Sequence, residues 1–166
     1  MLTKIRYRGP SWRDLHQDYA KAGRIDSQAP LRTRQEIVIS APISRVWEKL
    51  TDIPQWADNL EPGVRGIRLD DTGVGVDATF VRRTGGMRLT ARFAVVRPAR
   101  ELSWTGSSLG IKVVHRFLLG PLTPGTTRVT VEESMAGRML LLYSQASLDR
   151  VAARSLATLK AAAEQP

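Results

Sequence analysis

His115 is the foremost of the few reactive side chains that this sequence sets among apolar partners. In Ile111–Leu119, strand alternation places Ile111, Val113, His115, Phe117 and Leu119 on one face, and Lys112, Val114, Arg116 and Leu118 on the other. An imidazole titrates near neutrality, so His115 can bond a ligand or serve as a general base. A structural histidine satisfied by a neighbour fits the same pattern. Glu133 shares a face with Val129 and Val131 in Arg128–Met135. A hairpin through Gly120–Gly125 predicts Glu133 near Val113, diagonal to His115. There a carboxylate would orient the imidazole and raise its pKa. The competing reading pairs Glu133 with Arg82 or Arg116, since a buried carboxylate needs a partner. Arg82 follows Val76, Ala78 and Phe80 on an alternating face. It either points inward, to receive a carboxylate or enolate oxygen, or stands beside Arg83 as a rim charge.

Phe80, Phe93, Trp104, Phe117 and Trp47 fall on faces expected to be buried. They either line an apolar pocket or fill a core, the commoner use of aromatics at strand spacing. Gln145, on the stripe of the last helix, is a candidate for the mouth of such a pocket, whereas Tyr143 is expected at the surface. Other chemistries drop out. Two histidines far apart (His16 and His115) and no cysteine make a zinc site untenable, and no metal is expected. Gly106 through Gly110 to Lys112 lacks P-loop spacing, and Gly73-Val74-Gly75 is no dinucleotide fingerprint. There is no Gly-x-Ser-x-Gly elbow, no carboxylate pair for glycoside chemistry and no nucleic-acid-binding signature. No cofactor is expected.

These residues need elements to hold them. Ile37-Val38-Ile39 reads as a strand closed by Ala41-Pro42. Ser44 would cap a helix carrying Trp47, Leu50 and Ile53, which Pro54 ends. A short second helix spans 57–60. Strands are then expected at Gly66–Leu69, Val76–Arg83, Met87–Arg97, Leu102–Gly106, Ile111–Leu119 and Arg128–Met135. The turns between them are Asp71-Thr72-Gly73, Thr84-Gly85-Gly86, Pro98-Ala99, Ser107–Gly110 and Gly120–Gly125. Short connections imply an antiparallel meander. After Gly137 the period changes from 2 to 3.6, and Leu141, Leu148, Ala152, Leu156, Leu159 and Ala163 make one stripe of a long helix. Only that helix is large enough to cover the apolar face of a curved sheet, and the space between them is the natural ligand site.

A chain of 166 residues fits one domain with a core that needs no staples. The first eight residues lack the apolar run of a signal peptide, and no run is long enough to span a membrane, so a cytoplasmic location is expected. Of the net charge of +9, residues 1–34 supply more than half, with Lys4, Arg6, Arg8, Arg13, Lys21, Arg24, Arg32 and Arg34 against Asp14, Asp18 and Asp26. The organisation is therefore a basic extension over 1–34, holding a short helix from Trp12 to Ala22 capped by Ser11, and a main domain over 35–166. The extension is expected to be partly loose. It is either a solvated surface or a contact for an anionic membrane or an acidic protein.

Ile39-Ser40-Ala41-Pro42, Val46-Trp47, Leu50-Thr51-Asp52, Val96-Arg97-Pro98, Leu102-Ser103-Trp104, Val114-His115-Arg116-Phe117 and Thr130-Val131-Glu132-Glu133-Ser134 together resemble the START/polyketide cyclase/birch-pollen-allergen-like superfamily. Gly75, Phe80 and Ile111 fit the same pattern, which covers about residues 35–164. The resemblance is nearest to the polyketide cyclase/dehydrase-type lipid-transport branch. It implies an α+β helix-grip fold: a curved antiparallel sheet around a long C-terminal helix, with two short helices after the first strand. Fold does not fix function, and three readings stay open. One is a module binding a small hydrophobic molecule through Arg82, Phe80, Phe93, Trp104, Phe117 and Gln145. Another is a cofactor-free cyclase or dehydratase using His115 and Glu133 as acid–base groups. The third is an interaction protein acting through its basic arm, as a monomer or homodimer.

Overall fold

In a computed structural model, which describes residues 7–68 and 73–165, the β-branched and alternating segments form one antiparallel sheet. Its strands are β1 (Leu31–Ile39), β2 (Arg65–Arg68), β3 (Thr79–Thr84), β4 (Met87–Arg97), β5 (Glu101–Ser108), β6 (Ile111–Thr123) and β7 (Thr126–Gly137). They lie in the order β1-β7-β6-β5-β4-β3-β2. β2 to β7 thus form a meander, and the first strand closes against the last. The expected strand Gly66–Leu69 corresponds to β2, although Leu69 lies outside the described residues, as do Asp71 and Thr72 of the expected turn. β1 starts at Leu31, within the stretch assigned to the extension.

Between β1 and β2 lie α2 (Ile43–Thr51), a 3-10 turn (Ile53–Gln55) and α3 (Trp56–Asn59). The cap of α2 is Pro42 rather than Ser44, and Val46 and Leu50 are its buried residues. Proline, with its fixed φ and missing N–H, suits the edge of a helix where N–H groups go unused. A second 3-10 turn (Arg138–Leu142) follows β7. Then α4 (Gln145–Glu164) is capped by Ser144, whose Oγ accepts from the Ser147 N–H at 3.0 Å. Leu148, Ala152, Leu156, Leu159 and Ala163 face the sheet and complete the main core with Phe80, Phe93, Phe117 and Trp56. Leu141 lies outside the helix and is 54% exposed. This is a helix-grip architecture. No helix among the described residues is long and apolar enough to cross a membrane.

Residues 7–30 are not a loose arm. They lie along the convex face of the sheet, opposite α4. α1 (Trp12–Asp14), capped by Ser11 Oγ as expected, runs into a π-helical turn (Leu15–Ala20). Bonds from Lys21 N to His16 O and from Arg24 N to Tyr19 O, each five residues back, define the wider winding. That winding rotates the buried face to Leu15, His16 and Ala20 and leaves Ala22 exposed. Leu15 and Ala20 pack on Ala94 and Val114 as a second, small core. Polar ties add to it: Trp12 Nε1 donates to Thr105 Oγ1 (2.9 Å), the Asp26 N–H donates to Ser134 Oγ (3.1 Å), and Lys112 Nζ reaches the carbonyls of Gly9 and Pro10.

His16 is the centre of this strap. It is 2% exposed, with Nδ1 2.8 Å from Thr105 Oγ1 and Nε2 2.8 Å from Asp77 Oδ1. A neutral ring protonated on Nε2 satisfies both bonds. Burial pushes the imidazole below its usual pKa, outweighing the opposite pull of Asp77. Bonds from Lys21 and His16 hold Asp77 below the usual carboxylate range. A histidine lowered on folding stabilises fully above its unfolded pKa of about 6.5 and loses that contribution as pH falls toward the folded value. Asp77, also lowered, loses its contribution at still lower pH. Acidification from pH 7.5 to 5.5 should therefore reduce hydrogen-exchange protection across residues 15–25, and His16→Gln should remove the pH dependence. Constant protection across that range would exclude His16 as the fastening.

Candidate functional site

The sheet curves away from α4, leaving a cleft of about 120 Å³ between them. Leu89, Ile111, Val113 and Met135 from the sheet and Leu148 and Val151 from α4 give it apolar walls. Met87 and Tyr143 stand near each other, with Tyr143 Oη 3.2 Å from Met87 Sδ. Polar groups are few and mostly engaged. Arg82 Nη2 donates to Glu61 Oε2 at 2.8 Å, tying β3 to the segment after α3. Glu133 enters from β7, and Ser108 Oγ donates to the Arg88 carbonyl at 2.6 Å. Burial raises the pKa of the Tyr143 phenol, opposed by Arg82 and reinforced by Glu133. The phenol is thus held in its neutral, hydrogen-bond-donating form.

Behind this wall lies the His115–Glu133 pair. His115 Nδ1 is 2.8 Å from Glu133 Oε2. The two residues face each other directly in the β6–β7 ladder, not diagonally as the sequence predicts. The ladder runs on to Thr123↔Thr126 with a register shift after Pro121, so the turn is tighter than Gly120–Gly125 and the register moves by two. Arg116, offered as an alternative partner for Glu133, sits on the convex face between Glu101 (3.0 Å) and Glu132 (2.7 Å). A carboxylate on Nδ1 holds a proton there and leaves Nε2 as the bare acceptor, the tautomer a general base needs. Nε2 is buried without a partner. The ring, however, is sandwiched. Trp104 stacks on it at 4.8 Å and 10°, and Phe117 lies 4.6 Å away. Trp104 and Glu133 line the cleft, whereas His115 stands one layer back.

Of the residues singled out in the sequence, Arg82, Trp104 and Glu133 therefore meet at the cleft. Phe80, Phe93 and Phe117 do not. Phe80 stacks on Phe93 at 4.6 Å and meets Trp56 and Trp104 edge-on, and all three phenylalanines are at most 1% exposed. They are core that supports the cleft from below. Gln145 faces outward, donating to the Arg32 carbonyl (2.6 Å) and Asp149 (3.0 Å) and thereby locking α4 to β1. Tyr143, expected at the surface, belongs to the cleft because the helix begins two residues after it. Glu61, Thr84 and Ser108 carried no sequence signal, since each lies at or beyond the end of an expected strand or helix.

The curved sheet, the long gripping helix and the cleft between them define a helix-grip protein. The chain belongs to the family described as polyketide cyclase / dehydrase and lipid transport, whose model matches residues 30–164. Solved structures share the fold. A hypothetical protein from Helicobacter pylori superposes with a TM-score of 0.71 at 18% identity, over 84% of this chain and 92% of that one. The Zhui aromatase/cyclase of a Streptomyces species gives 0.67 at 17% identity, over 80% and 93%. The di-domain aromatase/cyclase BexL gives 0.62 at 17% identity, over 80% of this chain and 46% of that protein. No curated protein matches the sequence.

Proposed function

We propose that the cleft binds a small hydrophobic or aromatic molecule, of lipid, polyketide or quinone-like character, for transport, storage or sensing. The observation that carries this reading is the cleft itself: apolar on most of its wall, with Arg82–Glu61, Glu133 and Tyr143 as fixed polar points. Apolar walls supply affinity and a few convergent polar groups set orientation. Native mass spectrometry of the purified protein, followed by extraction, tests it directly. A stoichiometric lipophilic passenger is the expected result. A protein that is empty and takes up no added aromatic or acyl ligand would end the proposal.

A second reading, an enzyme of cyclase or dehydratase type, is favoured by one feature, the unpartnered Nε2 of His115 held in place by Glu133. A base must come within hydrogen-bond reach of its proton. Here Trp104 would have to swing aside, or Glu133, already at the cleft wall, would itself take the proton. His115→Ala should then reduce turnover by about 100-fold or more with ligand affinity retained. An unaltered rate would leave the pair with a structural task only. The interaction reading would draw on the exposed Arg8, Arg13 and Arg24 of a packed segment rather than on a loose arm.

A further inference from the structure

Across the described residues, six arginines meet acids. Arg34, Arg82, Arg92, Arg97, Arg116 and Arg128 each stand within 4 Å of a carboxylate. Three of the arginines without such a partner stand together. Arg65 faces Arg83 across the β2–β3 ladder, and Arg83 faces Arg88 across the β3–β4 ladder, so the three guanidinium groups share one face in a single cross-strand row. All three are exposed, and no carboxylate among the described residues pairs with any of them. Like charges directly opposite each other destabilise a sheet. The row therefore costs the fold stability unless an anion completes it.

The surroundings favour such an anion. Gly63, Gly85 and Gly86 flank the row, and open space lies where a side chain would project from each. A ligand can therefore come against bare backbone. The guanidinium fork donates two parallel bonds, which suits an oxyanion better than a lone chloride, and three cations in a row suit the double charge of a phosphate. Thr84, next to Arg83, lines both this depression and the cleft, and its Oγ1 is buried without a partner. The row thus lies on the outer face of the sheet, one residue from Thr84 of the cleft wall, and a ligand held there reaches the cleft around the Gly85-Gly86 turn. We infer that Arg65, Arg83 and Arg88 form a phosphate-binding site that selects phosphate-bearing amphiphiles for the cleft. The choice of amphiphile rests on the cleft being a ligand site, whereas the phosphate site itself does not.

Calorimetric titration with dodecyl phosphate, dodecanol and inorganic pyrophosphate tests this. The proteins compared are the wild type, the R65Q/R83Q/R88Q variant and an R150Q/R154Q control on the outer face of α4. Dodecyl phosphate should bind the wild type and the control at least about tenfold more tightly than dodecanol. That advantage should vanish in the triple variant and shrink as salt rises, while dodecanol binds all three proteins alike. Thermal melts check that each variant is folded. A phosphate advantage that survives in the triple variant, or is absent from the wild type, overturns the site. Arginine-dependent pyrophosphate binding with no uptake of either amphiphile would keep the site for soluble phosphates and refute the cleft reading instead. Failure of both phosphates to bind would overturn the site alone if dodecanol still entered.

Discussion

Trp104→Ala should cost about 3–5 kcal/mol of stability and reduce affinity for a cleft ligand at least about tenfold. The indole is 3% exposed, stacks on His115 and meets Phe80 edge-on, so its removal leaves a void against both rings. Trp104→Phe separates the two effects. Phenylalanine retains most of the packing and removes an N–H that is buried without a partner, a group whose burial ordinarily costs about 1–3 kcal/mol. If a ligand carbonyl accepts from that N–H, the Phe variant should be as stable as wild type in urea and bind more weakly. Equal affinity of wild type and both variants would remove Trp104 from the binding site.

The second large effect lies at Gly137, where β7 leaves the sheet. Its φ is +140°, and a Cβ there would stand 1.9 Å from the Gly110 carbonyl oxygen and 2.8 Å from Ile111 Cα. Both obstacles are backbone and cannot rotate away. Gly137→Ala should therefore lose about 3 kcal/mol or more, through backbone strain and overpacking together. The strand ends would splay where Ile111 and Met135 form the cleft wall. Gly120→Ala is the control, since that position has ordinary φ and open space around it. It should change stability by about 0.5 kcal/mol at most. Similar urea midpoints for the two variants would mean that the β6–β7 ends can part without loss.

The sequence made the architecture readable because its periods are clean. Alternation over Met87–Arg97 and Ile111–Leu119, and the 3.6 spacing of Leu148, Ala152, Leu156 and Leu159, each admit one fold of the chain. The inward face of β6 came out as expected, with Phe117 at 0% and His115 at 7% exposure. What could not be read was depth. Alternation assigns a residue to a face, yet Trp104 and Phe117 both face inward and only Trp104 reaches the cleft wall. Register was the other gap. The His115–Glu133 contact depends on where the β6–β7 turn closes, and closure at Thr123↔Thr126 moved it by two residues. The strap was hidden for a different reason. Its π winding displaces the buried face from the positions an α-helical period assigns, and His16 finds Asp77 only through tertiary structure.

The arginine row illustrates a limit of the same kind. Arg65, Arg83 and Arg88 are scattered in the sequence and contribute only to an unspecific positive charge. Two hairpin registers bring them into line. The excess charge of the N-terminal segment drew attention in the sequence, yet its lysines and arginines are partly spent on internal contacts, Lys21 with Asp77 among them.

The pairing of the first strand with the last has a bearing on biosynthesis. β2 to β7 can zip together hairpin by hairpin as they leave the ribosome. β1, synthesised before all of them, has no partner until β7 arrives, from Thr127 opposite Ile39 to Met135 opposite Leu31. Contacts so distant along the chain are slow to form, because loop-closure entropy must be met first. Until then the inner face of the sheet, including the residues that later wall the cleft, stands open without α4 over it. A nascent chain of this design carries an apolar surface uncovered until α4 has been made.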